Sequence, residues 1–430
     1  MSKLPVVVVG GGIGGLAVAT YVARAGRPVV VYERAANLGG RAQSRSRGEF
    51  RFNLGPRALF RGGRGAAVLH ELGVSVTGGT PRSSGALALR CGRCLTLPTR
   101  FFSLLTTRLL DWRGRFELAR ILSSISRLDT DAVQAETVAD WLDRVVRHRE
   151  VRAVIDALLR LCTYANAPER MSAGAALHQL QLTLAKGVTY LDGGWQSLVD
   201  GLREAAITAG AEIATGARVV EVEHDGAARG VRLADGTMRP AAAVTLAVPP
   251  ADASALVGGF GCLARWAAQA IPIRAACLSV GLSRLPAPRA LFALGIDRPL
   301  YFSVHSAVAR LAPTGAATIH VAKYLDGDGD DARAGERELE GLLDTVQRGW
   351  RECLVERQFL PQMVVANSLV TAASGGIAGR PGPTVPDLRN VYVVGDWVGN
   401  EGLLADATLA SAKRAAAQIA AKRPEAAAVA

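Results

Sequence analysis

The sequence predicts an α/β fold: a discontinuous Rossmann-type domain on a parallel sheet, with an inserted helical and mixed-sheet domain. Three observations predict it. The chain opens as strand, glycine turn, helix and strand; its middle turns helical and then into short β-rich runs; and it closes on an apolar strand followed by an alanine-rich helix.

Val6-Val7-Val8-Val9 has the continuous apolar character of a parallel strand buried on both faces, residues 16–25 read as a helix, and 29–32 as a second strand, which completes a βαβ unit. From 101 to 128 the residues Phe101, Leu105, Leu109, Trp112, Phe116, Leu118, Ile121, Leu122, Ile125 and Leu128 recur near helical spacing with arginines between them. Helical character continues through 141–161, 173–184 and, after the Gly193-Gly194 break, 195–209. The runs 218–222, 230–233 and 243–248 are β-rich and separated by the hairpin dipeptides Asp225-Gly226 and Asp235-Gly236, which predicts a meander. Further strands are expected at 277–282 and 317–324, a helix at 336–350, a Gly/Pro-rich connector at 375–386, a last buried strand at 391–394 and a final helix at 403–421.

The glycine turn carries chemistry. Gly10-x-Gly12-x-x-Gly15 follows a strand, opens a helix and is succeeded by Glu33 at the end of the next strand. Gly10 permits the tight turn, Gly12 lets the backbone approach a pyrophosphate, Gly15 lets the helix pack on the strand, and the helix N-terminus presents N–H groups to an anion. Glu33 accepts ribose hydroxyls, which favours a nucleotide without a 2′-phosphate. Gly39-Gly40-Arg41, six residues on, brings an arginine beside the same pyrophosphate.

With these residues the chain resembles the FAD-dependent amine oxidase and phytoene desaturase superfamily, and the resemblance covers nearly its whole length. Asn53-Leu54-Gly55-Pro56-Arg57 is similar to the stretch that passes along the flavin ring, Asp192-Gly193-Gly194-Trp195 to the turn that starts the mid-chain helix, Val244-Thr245-Leu246-Ala247-Val248-Pro249-Pro250 to the strand before the return to the substrate domain, and residues 391–396 to the C-terminal flavin strand. The resemblance implies non-covalent FAD, since Ser374-Gly375-Gly376-Ile377 offers no cysteine where covalent members have one. The cofactor residues it implies are Gly10, Gly12, Ile13, Gly14 and Gly15 in the turn; Glu33 and Arg34; Gly40 and Arg41; Gly55, Pro56 and Arg57; Val219 by a backbone contact to adenine; Gly395 and Asp396; and Leu403 and Leu404, whose N–H groups would meet the N1 and O2 edge of the flavin. Arg57 otherwise has the character of a surface arginine; near a flavin it would tune the potential or bind an acidic substrate. Lys323 is a catalytic candidate only by region, because some amine-oxidising relatives use a lysine there.

The implied domains are a first FAD-binding part at 1–85, a helical cap at 86–185, a second FAD-binding part at 186–250, a mixed-sheet substrate part at 251–384, a C-terminal FAD-binding part at 385–422 and a flexible tail at 423–430. The implied function is removal of two electrons, as hydride to flavin N5, from a largely apolar substrate in the manner of a phytoene desaturase. Amine oxidase, porphyrinogen oxidase and a redox-neutral polyene isomerase are alternatives. The expected partners are a lipophilic small molecule and an electron acceptor that the sequence does not identify, in a cytoplasmic protein with peripheral membrane contact as a further option.

Other classes are set aside on composition and spacing. Of 50 Lys+Arg only five are lysine, and against 38 Asp+Glu they leave a net charge of +12, but the arginines are scattered rather than gathered in a tail with aromatics, so no nucleic-acid partner is expected. Six cysteines in 430 residues make no disulfide scaffold, which points to a reducing compartment. Cys91-Gly92-Arg93-Cys94 reads as a β-turn rather than a redox dithiol, and Gly259-x-Gly261-x-x-Ala264 lacks the strand that a second nucleotide motif needs. The six histidines show no metal-ligand spacing, no serine-nucleophile elbow occurs, the N-terminus lacks a signal-peptide core, and no uncharged apolar run reaches the roughly 18 residues of a membrane span.

Overall fold

The computed structural model describes residues 4–82, 85–98, 101–327 and 331–422; the expected tail at 423–430 lies outside them. β1 (Val6–Val9) and β2 (Val29–Glu33) pair in parallel, Val6 beside Val29 and Val9 beside Tyr32, and α1 (Ile13–Arg24) connects them. β1 is the centre of a five-stranded parallel sheet, with Ala243–Leu246 and then Val391–Val393 on one side, and β2 and then Glu212–Thr215 on the other. Side-chain alternation along the strands sets two cores. Val6, Val8 and Val31 pack with α1 and the helices Gln196–Thr208 and Leu404–Ala421, while Val7, Val9 and Val30 pack on a three-stranded sheet and the helices Pro250–Leu256 and Gly261–Gln269. Both faces are dry, which is why β1 is all valine.

α1 begins at Ile13, not at 16, because Gly14 and Gly15 are helical and let the helix lie against its neighbours. The meander consists of Val219–His224, Ala228–Leu233 and Met238–Pro240; the run at 243–248 leaves it, and Ala243–Leu246 joins β1 in parallel. Four consecutive buried side chains cannot form the edge of a solvated meander.

A seven-stranded sheet forms the second layer system, in the order Leu354–Ala366, Ile273–Leu282, Ala317–Tyr324, Leu300–Val304, Phe292–Gly295, Leu87–Arg90, Arg93–Thr96. All its pairings are antiparallel except Phe292–Gly295 with Leu87–Arg90, so the sheet is mixed. One face packs on the helix Ala332–Val346. The other carries Tyr301, Ala322 and Tyr324 toward Tyr164.

The helical segment is more broken than its periodicity suggests. Phe101–Thr106 and Trp112–Ile125 are separate helices, the second started by Asp111, whose carboxylate accepts the Gly114 N–H at 2.7 Å. Val138–Val145 and Arg149–Thr163 are likewise separate, and the buried Glu117 carboxylate accepts the N–H groups of Arg147 and His148 in the break. Cys91 and Gly92 form the tip of the hairpin Leu87–Arg90/Arg93–Thr96, and Cys91 and Cys94 are both free and exposed. Gly261 opens a helix whose Cys262 N–H is capped by the Asp387 carboxylate at 2.7 Å, so this second glycine cluster serves a helix start.

Candidate functional site

The glycine turn is shaped by close approach. Gly10 has φ +105°, and a Cβ there would lie 2.7 Å from the Ala247 carbonyl oxygen; a Cβ on Gly15 would overlap the Gly10 carbonyl oxygen. A Cβ on Gly14 would press on Thr408 and Val394, so this face of α1 abuts the C-terminal strand and helix. Glu33 reaches back from the end of β2: its Oε2 accepts the Gly11 N–H at 2.7 Å and its Oε1 the Ala35 N–H at 2.8 Å. Gly39 pairs with Gly12 in a parallel bridge and donates its N–H to the Gly11 carbonyl at 2.8 Å, which carries Gly40 and Arg41 to the turn.

Arg41 closes the other side. Its Nη1 donates to Asp396 Oδ2 and to the Val365 carbonyl, both at 2.8 Å. Asp396 is 4% exposed and also accepts the Asn367 side-chain amide at 2.9 Å and the Asn367 N–H at 3.2 Å. Arg380 braces the following loop through the carbonyls of Asp396 (3.1 Å) and Gly402 (2.8 Å), and burial pushes its guanidinium down to about 10. The loop delivers the C-terminal helix, with Leu404 at φ +56° in its first turn.

A cavity of about 760 Å³ joins these parts. Of the residues expected to hold a cofactor, Gly10, Gly12, Ile13, Gly14, Glu33, Arg34, Gly40, Arg41, Pro56, Arg57, Val219, Gly395, Asp396 and Leu404 line it. Gly15 lies behind the turn. Gly55, at φ +93°, is covered by Met363, and Leu403 is buried in the helical core, so neither of these two faces the cavity. Arg57 enters with its Nε on the Leu54 carbonyl (3.3 Å) and its guanidinium 5.8 Å from the Trp195 ring; burial, reinforced by the charge of Arg41, lowers it to about 10. The Trp195 backbone is fixed in turn by the buried Asn53, whose Oδ1 accepts the Trp195 main-chain N–H at 3.0 Å.

The profile of the flavin containing amine oxidoreductase family matches residues 13–276. The chain belongs to this family. Among curated relatives it is 25% identical over 276 residues to a phytoene desaturase from Cercospora nicotianae, a match covering 55% of this chain and 44% of the relative. It is 53% identical over 56 residues to a carotenoid 3,4-desaturase from Haloarcula japonica, covering 13% and 11%. The matched stretches thus span less than half the length of either relative. Among solved structures, an oxidoreductase from Methanosarcina mazei superposes with a TM-score of 0.78 at 20% identity, over 96% of this chain and 99% of the other.

The family's cofactor is flavin, and the residues present fit FAD. Gly12 and Gly40 leave open backbone along the cavity, where an added Cβ would meet nothing closer than 3.9 Å. Glu33 lies at the glycine turn, Arg41 beside Asp396, and the C-terminal helix starts on the same wall. Among the described residues no cysteine or histidine lines the cavity.

Lys323 is not in this site. It shares the strand face of Ile319 and Val321, which packs on Ala332–Val346, and its Nζ pairs with Glu338 at 3.3 Å. Strand parity turns it away, while its neighbours Ala322 and Tyr324 face Tyr164. Sequence reasoning missed Tyr164, Trp195, Asn367 and Asp406, all of which line the cavity. Tyr164 and Asn367 come from a helix end and a strand exit with no local signature; Asp406, an acid in the first turn of the last helix, was the one with a visible signal.

Proposed function

We propose that the protein is an FAD-dependent oxidoreductase that removes two electrons from a largely apolar substrate, in the manner of a carotenoid desaturase. The observation that carries this reading is the single cavity that runs from Glu33 and the glycine turn, past Arg41 and Asp396, to the start of the C-terminal helix. Glu33 and the N–H groups of the turn would hold the nucleotide, Arg41 the diphosphate, and Asp396 a hydroxyl of the linker. Bound FAD would supply the two-electron acceptor, receiving hydride at N5. Tyr164, Trp195 and the apolar lining exclude water and orient the substrate. The turning away of Lys323 and the desaturase relatives favour this reading over an amine oxidase.

A lipophilic substrate has to be collected, and the helices Phe101–Thr106 and Trp112–Ile125 carry an exposed set suited to that: Phe102, Trp112 and Phe116 are each more than 70% exposed, next to Arg113 and Arg120. We read this face as the peripheral contact with an anionic membrane surface. Among the described residues no helix is long and apolar enough to cross a membrane.

The test is spectroscopic. Purified protein should be yellow and release FAD on denaturation, and under anaerobic conditions a lipophilic polyene precursor should bleach it while amines do not. Colourless protein that cannot be reconstituted with FAD would overturn the enzyme reading, and bleaching by an amine with fast reoxidation in air would move it to an amine oxidase. Turnover of a polyene without bleaching, dependent on added reductant, would indicate an isomerase.

A further inference from the structure

The helix Trp112–Ile125 and the break between Val138–Val145 and Arg149–Thr163 enclose an open recess of about 600 Å³, which shares no lining residue with the cofactor cavity. On the helix side the lining residues 113, 116, 117 and 120 recur at spacings of three and four, so they form one face. The Glu117 carboxylate, 7% exposed, holds the other side in place. Its Oε1 accepts the Arg147 main-chain N–H at 2.9 Å and its Oε2 that of His148 at 3.0 Å, which fixes the break against the helix.

The recess is rich in unpaired positive charge. Arg113, Arg120 and Arg147 are exposed in its lining, and among the described residues no carboxylate lies within salt-bridge distance of any of them. Arg144 differs, since Glu136 holds it through two bonds of 2.9 and 2.7 Å. Other acids on the flanking elements are committed too: Asp111 caps its own helix, Asp143 pairs with Arg152, and Glu150 pairs with Arg90 at 3.2 Å. Glu117 therefore sets one negative charge against three unpaired guanidinium groups. Beside these cations Trp112 and Phe116 line the same recess while 72% and 71% exposed.

We propose that this recess binds the headgroup of a membrane lipid that ends in a phosphate monoester, with Arg113, Arg120 and Arg147 on its oxygens and Trp112 and Phe116 entering the lipid beside it. This rests on the membrane reading of the same face and turns a general attraction into a selective site. A monoester offers three terminal oxygens and a second negative charge near neutral pH, whereas a diester offers two oxygens and one charge, and forked guanidinium donors favour the former. The aromatic pair selects a lipid over a soluble phosphate, because such side chains gain from burial at the headgroup level and gain nothing from an ion in water.

Sedimentation of the purified protein with phosphatidylcholine vesicles tests this, the vesicles containing either phosphatidic acid or phosphatidylglycerol and adjusted to equal surface charge. The wild type should bind the phosphatidic acid vesicles about fivefold more tightly or better, and the double variant Arg120→Gln with Arg147→Gln should lose that preference. Both side chains are exposed and the variant keeps the main-chain N–H that Glu117 holds, so its thermal melt and FAD spectrum should match the wild type. Arg203→Gln, an exposed position on Gln196–Thr208, also removes a charge and should leave the preference intact. Equal binding of both vesicles by the wild type, or a preference that survives in the double variant, overturns the proposal. So does calorimetric binding of glycerol 3-phosphate from solution without any vesicle preference, which would assign the recess to a soluble phosphate ester. Failure of the wild type to bind either anionic vesicle overturns the membrane reading itself, and the proposal with it.

Discussion

Arg41 and Asp396, 355 residues apart in sequence, make the contact that ties the two ends of the chain across the cavity. Arg41→Ala removes the one cation that, among the described residues, lies within salt-bridge distance of the 4% exposed Asp396 carboxylate, and it leaves that carboxylate its Asn367 contacts. Arg41→Ala and Glu33→Ala should therefore each weaken FAD binding by about tenfold or more, as read by flavin fluorescence; unchanged occupancy in both would defeat the site assignment. Asp406 also makes a stability prediction. Burial pushes its folded-state pKa up to about 6, above the ordinary aspartate value, so the native state binds the proton more tightly. The penalty of ionising it is absent below the unfolded value, grows as pH rises between the two, and is complete above the folded one. Asp406→Asn should thus gain up to about 3 kcal/mol relative to wild type at about pH 8, and nothing at about pH 3.5, when denaturant melts are compared.

At the scale of the element, the glycines of the first turn are not equivalent. A Cβ on Gly15 overlaps the Gly10 carbonyl, so Gly15→Ala must push α1 off β1 and should cost on the order of 3 kcal/mol. Gly40 has open space around it and only a φ of +52° to defend, so Gly40→Ala should cost about 1 kcal/mol and leave the protein folded. Thermal melts of the two variants separate a steric requirement from a conformational one; equal losses would contradict it. The sequence pattern Gly-x-Gly-x-x-Gly marked the turn because each position answers to local backbone geometry. Lys323 escaped the same kind of reading because its direction depends on strand parity against Ala332–Val346, which no local spacing records. The breaks at 107–111 and 146–148 escaped it too, since one of them is held by Glu117, some thirty residues from the N–H groups it caps.

For the whole molecule, the exposed face of Phe102, Trp112 and Phe116 predicts sedimentation with vesicles that contain anionic lipid, weakened by salt. Replacing Trp112 and Phe116 by serine should abolish it without altering the FAD spectrum, because both side chains are more than 70% exposed and lie outside the cofactor cavity. Retained sedimentation in that double variant would place the contact elsewhere.

The βαβ opening, the Glu33 and Arg41 positions, and the closing strand and helix were decided by the sequence alone, because each depends on residues within a few turns of one another. Tertiary structure alone decided that Ala243–Leu246 leaves the meander for the parallel sheet, that Leu404 and not Leu403 faces the cavity, and that Asp406 ends among three glycines with one oxygen free. Those outcomes are fixed by which face of an element meets which neighbour, and the neighbours are supplied by distant parts of the chain.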